Sequence, residues 1–176
     1  MNTKHTMMAL AIGAAFLTTG AQAAMLDFSG TTAGGPTFDR PLETLDFLPL
    51  IGEDARYNAF QFTVDTSGFY NFLSTVTGWD NFTLLYGPGF NAASPLTNAL
   101  AANDDFGAPG QSGFSFGLTA GVAYTFVTTG FDGAVDFGAF NNSIAGPGSI
   151  AAVPEAGTLA MMAMGLALVG LLRRRR

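Results

Sequence analysis

In the middle of this chain apolar residues recur at every second position over short stretches. Tyr57-Asn58-Ala59-Phe60-Gln61-Phe62-Thr63-Val64 puts Phe60, Phe62 and Val64 on one side of an extended chain and Gln61 and Thr63 on the other. That is the period of a half-buried strand. Asp65-Thr66-Ser67-Gly68 is a turn, and Phe69 to Val76 continues as a second strand; so short a link predicts an antiparallel hairpin. The pattern returns at Phe82, Leu84 and Tyr86; at Phe114, Phe116 and Leu118; at Val122, Tyr124 and Phe126; and at Val135, Phe137 and Ala139, with Ala120-Gly121 as a turn between two of these. No stretch here sustains a helical period with caps. About seven or eight short strands split by Gly, Asn and Asp turns predict an all-β fold, an antiparallel β-sandwich or barrel. Residues 87–112 are the longest irregular section, and 141–152 have the small-residue, Pro/Gly composition of a linker.

The two ends are of another kind. Lys4, an apolar run from Met7 to Leu17, and Ala21-Gln22-Ala23 make a secretory signal peptide over 1–23, so that Ala24 opens the exported protein. At the other end Val153-Pro154-Glu155-Ala156 leads into 17 uncharged residues, Ala156 to Leu172, and then Arg173, Arg174, Arg175 and Arg176. The uncharged run is just long enough to span a bilayer as a helix, and the arginines behind it act as a stop-transfer signal. The expected organisation is a signal helix (1–23), a sandwich domain (24–140), a linker (141–152) and a tail with a transmembrane helix (153–176).

Charge and missing residue types narrow the function. Residues 24 to 153 hold 12 acids against two bases, Arg40 and Arg56, a net charge of −10. Such a surface repels nucleic acid, and its natural charged partners are cations. The single His and the single Lys, His5 and Lys4, fall in the signal peptide, and there is no Cys. This excludes His-based nucleophile triads, Schiff-base lysines, disulfides, and zinc sites built on His or thiolate.

Two constellations remain as candidate sites. Asn103-Asp104-Asp105 with Asp80 offers the hard oxygen ligands that calcium takes; against this, Asn and Asp are ordinary turn formers and EF-hand spacing is absent. Trp79, Tyr86 and Phe90 could form a flat platform for a sugar ring, but among 21 aromatics in the exported part, core packing is the simpler role for each. Paired carboxylates of glycosidase type are the only acid–base equipment left, and twelve acids guarantee chance pairs.

Val153-Pro154-Glu155-Ala156, the apolar run and the four arginines together resemble the PEP-CTERM sorting signal of Gram-negative bacteria. Ala156 stands where the commonest motif has a second proline. The resemblance implies handling by the export machinery, transient anchoring in the inner membrane and removal of the tail near Pro-Glu by exosortase, a membrane protease. The destination would be the cell surface or the exopolysaccharide matrix.

Over roughly 38–140 the chain is also similar to bacterial pre-peptidase C-terminal domains. The residues that carry this are Tyr57-x-x-Phe60-x-Phe62-x-Val64, Ser67-Gly68-x-Tyr70, Trp79-Asp80 with Leu84, Leu85 and Tyr86, Asn103-Asp104-Asp105, and Leu118-Thr119-Ala120-Gly121 with Tyr124, Phe126 and Val127. The resemblance implies an all-β, jelly-roll-like antiparallel β-sandwich, secreted, of a kind that in some members binds calcium or extracellular polymers. The expected function is non-enzymatic, a structural or adhesive component of exopolysaccharide or biofilm. A carbohydrate-binding module, calcium-dependent or not, is the competitor, and a glycoside hydrolase the third reading.

Overall fold

A computed structural model describes residues 23–154. The expected signal helix and the expected transmembrane helix both fall outside the described residues. Among the described residues no helix is long and apolar enough to cross a membrane.

The described residues form ten strands divided between two sheets: β1 (Ala24–Thr31), β2 (Thr37–Phe38), β3 (Ala55–Val64), β4 (Gly68–Val76), β5 (Asn81–Tyr86), β6 (Ala99–Asn103), β7 (Gln111–Leu118), β8 (Ala123–Gly130), β9 (Ala139–Gly146) and β10 (Ile150–Ala152). One sheet has the order β1-β9-β4-β7; the other runs β10-β3-β8-β5-β6, with β2 added beside β3. Every pairing is antiparallel. The expected antiparallel sandwich is what forms.

Its connections differ from the sequence reading in four places. β3 and β4 are not a hairpin: β3 pairs with β8 and β10, β4 with β7 and β9. The Asp65–Ser67 link carries the chain from one sheet to the other, with Tyr70 Oη donating to Thr66 O at 2.8 Å to pin the corner. Both sheets bury an alternating aromatic face, so alternation alone could not say which strand was the neighbour. Residues 87–112 are not wholly irregular, because β6 lies within them and pairs with β5. Val135 and Phe137 lie outside any strand and are exposed by 65% and 37%; the last long strand begins at Ala139. Finally, 141–152 is not a linker. Most of β9 and all of β10 are made from it: in β9, an interior strand between β1 and β4, Asn142 and Ile144 alternate inward, and β10 is the edge of the other sheet.

Between the sheets Phe62, Phe72, Phe126, Tyr70, Leu85 and Ile144 form an almost wholly aromatic and aliphatic core. Phe72 packs on Phe126 and Phe114 at 5.2 and 5.1 Å between ring centres. Further along, the interlayer turns polar: Thr83 and Ser112 hydroxyls meet at 2.6 Å across the gap, and Asn142 Nδ2 donates to Thr128 Oγ1 at 2.8 Å. A second core lies on the other side of the larger sheet, where Leu84, Tyr86 and Val127 meet Phe38, Leu45 and Phe90. Burial on both faces explains why all six residues of β5 are buried, where a one-faced reading had seen only Phe82, Leu84 and Tyr86.

Candidate functional site

The acidic end of β5 is organised around a cation. Arg40 is completely buried, and its guanidinium lies over the rings of Phe82 and Phe131 at 4.3 and 4.7 Å. Nε and Nη2 both donate to Phe131 O, at 2.9 and 2.7 Å, and Nη1 to Pro41 O at 3.1 Å. Burial pulls this guanidinium below its ordinary range, and the charges of Asp104, Asp80, Glu43 and Asp132 oppose that pull. Its field therefore reaches four acids that four separate loops bring to it.

Those loops are fixed by the acids themselves. The Asp136 carboxylate accepts from Asp80 N at 3.1 Å and from Asp132 N at 2.9 Å, tying the turn before β5 to the turn after β8. Glu43 Oε1 accepts from Asp104 N at 2.8 Å and from Asn103 Nδ2 at 3.2 Å, tying the loop after β2 to the end of β6. Acidic side chains at turns that satisfy backbone N–H groups are common, because those donors have no ladder partner.

The four residues expected to bind calcium are placed unequally. Asp80, Asp104 and Asp105 share one neighbourhood. Burial pushes the Asp104 carboxyl up to about 6, and the nearby Asp80 and Asp105 charges push the same way. Partial burial also raises Asp80, helped by Asp136 and Asp105 and resisted by Arg40. Asp104 Oδ1 is buried without a hydrogen-bond partner among the described residues. Asn103 is already used: its Oδ1 accepts from Gly113 N at 3.0 Å and its Nδ2 donates to Glu43. Among the described residues no three acidic, His or Cys side chains are arranged to hold a metal ion. Arg40, Glu43 and Asp136 were missed by the sequence reading; the one available signal was that Arg40 is one of two bases in 24–153.

The aromatic platform does not form. Tyr86 is fully buried, its hydroxyl donating to Pro95 O at 2.9 Å, and its ring packs on Phe90 at 4.6 Å. Phe90 also packs edge-on against Tyr57 and Phe38, so it closes the second core. Trp79 lies beyond the opposite end of β5, a strand of about 17 Å at ~3.3 Å per residue. The physical reason is the double burial of β5: a ring on either face of that strand has a core to enter. Trp79 instead donates Nε1 to Ala139 O at 3.2 Å and, with Asp80, Asp105 and the Gly107–Gly110 loop, walls an open cleft.

At the chain's other landmarks, Ala24 opens β1, with Ala23 just before it. Val153 N donates to Gln61 O at 2.9 Å, directly extending the β10–β3 pairing, and Pro154 is exposed. Ala21, Glu155, Ala156 and Arg173 to Arg176 lie outside the described residues.

A two-sheet antiparallel sandwich whose last edge strand runs straight into a C-terminal address defines the class: an exported protein with a sorting tail. Residues 152–176 match the family model of the PEP-CTERM protein-sorting motif, a motif associated with processing by the membrane protease exosortase. Export and transient membrane anchoring before release follow from that motif. No curated protein matches the chain. Among solved structures, it is similar to the pre-peptidase C-terminal domain of collagenase from Bacillus anthracis, with 16% identity and a TM-score of 0.42, covering 68% of this chain and 87% of that one. The sandwich assignment itself rests on the strand pairings above.

Proposed function

We propose that this is a non-enzymatic structural or adhesive protein of the cell surface or extracellular polysaccharide matrix of a Gram-negative bacterium. The observation that carries the reading is the PEP-CTERM motif starting at Ala152, inside β10, so that the address is continuous with a closed sandwich. The absence of His, Lys and Cys from residues 24–154 supports a role in binding over bond chemistry. Calcium drawn to the like charges of Asp80, Asp104 and Asp105, with water filling most of its shell, would neutralise them beside the Trp79 cleft.

The cleft supports a second reading, a carbohydrate-binding module. One indole face next to carboxylates is a minimal sugar site, smaller than the three-ring platform. Washing the matrix of producer cells tests both. The protein is expected to stay in the washed matrix and to leave when calcium is chelated, whereas full recovery in the first wash overturns the matrix role. Retention lost specifically in Trp79→Ala selects the carbohydrate-binding reading.

A further inference from the structure

The sorting motif is docked on the domain that it addresses. β10 pairs Ile150, Ala151 and Ala152 with Val64, Thr63 and Phe62, and the backbone bonds Asp65 N to Ser149 O (3.2 Å) and Val153 N to Gln61 O (2.9 Å) close the pairing at both ends. The first residue of the matched motif, Ala152, is thus a strand residue, and its second, Val153, is still bonded to β3. Only Pro154 and Glu155 separate this bonded residue from the uncharged run that starts at Ala156. Three residues of fully extended chain reach about 10 Å. A protease active site must take a few residues of free, extended chain on each side of the bond it cuts. At this motif the residues on the domain side belong to a sheet.

The docked strand is built to come off. Ile150 alone of its three residues packs against the inter-sheet core, while Ala151 and Ala152 are exposed. β10 is the terminal strand of its sheet, so its departure breaks the bonds to β3 and no other ladder. β3 keeps its seven-residue pairing with β8. Short edge segments with one apolar anchor belong to the low-stability end of a native structure and open without global unfolding.

We propose that β10 is a detachable strand: it peels from β3 to present the Pro-Glu segment to the membrane protease, and the docked form protects the motif from cleavage. The detachment breaks the β10–β3 hydrogen bonds and the packing of Ile150 and Val153, and no covalent bond. The proposal rests on the sorting reading given above, and its test separates the two.

Thr63 and Ala151 are direct partners, and the bonds at Ser149 and Val153 place them in the hydrogen-bonded class. Their Cα atoms are then about 5.5 Å apart, within disulfide range. The chain has no Cys to compete. The full chain carrying Thr63→Cys and Ala151→Cys is expressed in the producer, and tail loss is followed by intact mass with and without reductant. A control carries Ser29→Cys and Asn141→Cys, partners in the β1–β9 pairing. Because cleavage of a transiently opened site follows its open population, the locked strand is expected to slow tail loss by about tenfold or more. Reductant should restore the wild-type rate, and the control should match wild type throughout. Ile150→Ser, which removes the anchor, should speed tail loss several-fold. Tail loss from the oxidised Thr63–Ala151 variant at the wild-type rate overturns the detachment while leaving the sorting reading intact. A wild-type chain that keeps Arg176 everywhere overturns both.

Discussion

The two ends of β5 are closed by opposite chemistry. At one end a fully buried Arg40, carrying no ion pair among the described residues, sits on two phenylalanine rings within the field of four acids. At the other, Tyr86, Phe90, Tyr57 and Phe38 pack ring to ring, with one hydroxyl bonded to Pro95 O. The aromatic end gains its stability from area removed from water, which is indifferent to pH and modest salt. The acidic end holds loops by carboxylate bonds and like charges in a partly desolvated place, so protons and cations can adjust it. In a domain without disulfides, one end is a fixed closure and the other a responsive one.

Replacing the cation should give the largest effect. Arg40→Ala removes three hydrogen bonds and two ring contacts and leaves Phe131 O without its buried donors, a loss of about 3–5 kcal/mol. Urea denaturation measures it, and a loss under about 1 kcal/mol would show that the guanidinium does not organise that end. At the opposite end Tyr86→Phe keeps the ring and orphans Pro95 O, so about 1–2 kcal/mol is expected. The same denaturation series should show that this loss is equal at pH 4.5 and pH 7.

The comparison is sharpest in its pH dependence. Asp104 has a carboxyl pushed up to about 6 from its ordinary 3.8, so between these values the folded state binds more protons than the unfolded one. Stability contributed by this group is then full below about pH 4 and falls as pH rises through about 6. Asp104→Asn should flatten that limb in thermal scans, and calcium should raise the melting temperature more at pH 7 than at pH 4.5. An unchanged limb in Asp104→Asn would assign it to other acids. The smallest effect is expected for Trp79→Ala, whose half-buried indole makes a single hydrogen bond; about 1 kcal/mol or less by denaturation would agree with a ring kept for a cleft.

Much of this architecture was legible in the residues. Alternation at Phe60, Phe62 and Val64 and at Phe82, Leu84 and Tyr86 located strands, because a period of two depends only on backbone geometry. Which strands pair was not legible. The turn at Asp65–Gly68 is short enough for a hairpin and serves equally as a crossing between sheets. Residues 141–152 have the Asn, Ser, Ala and Gly composition of a loop, and their strand character comes from pairing with β1, β4 and β3, which composition does not show. Asp80, Asp104 and Asp105 lie in one neighbourhood, since turn residues gather at one end of a sandwich, while Asn103 is bonded to Gly113 N and Glu43. Arg40 and Glu43 were missed because their roles depend on contacts some 60 to 90 residues away in sequence. The burial of Tyr86 agrees with the core role that so many aromatics favour, but the second core that receives it could not be located, because part of it comes from loops without periodicity.

The central claim is that a closed, exported sandwich carries a removable address on its last strand. The most direct measurement is the intact mass of the protein recovered separately from the matrix and the membranes of its producer. The account predicts a matrix form that begins at Ala24 and ends near Pro154 or Glu155. A matrix form that still ends at Arg176, or a protein found only in membranes with Arg176 in place, would contradict it.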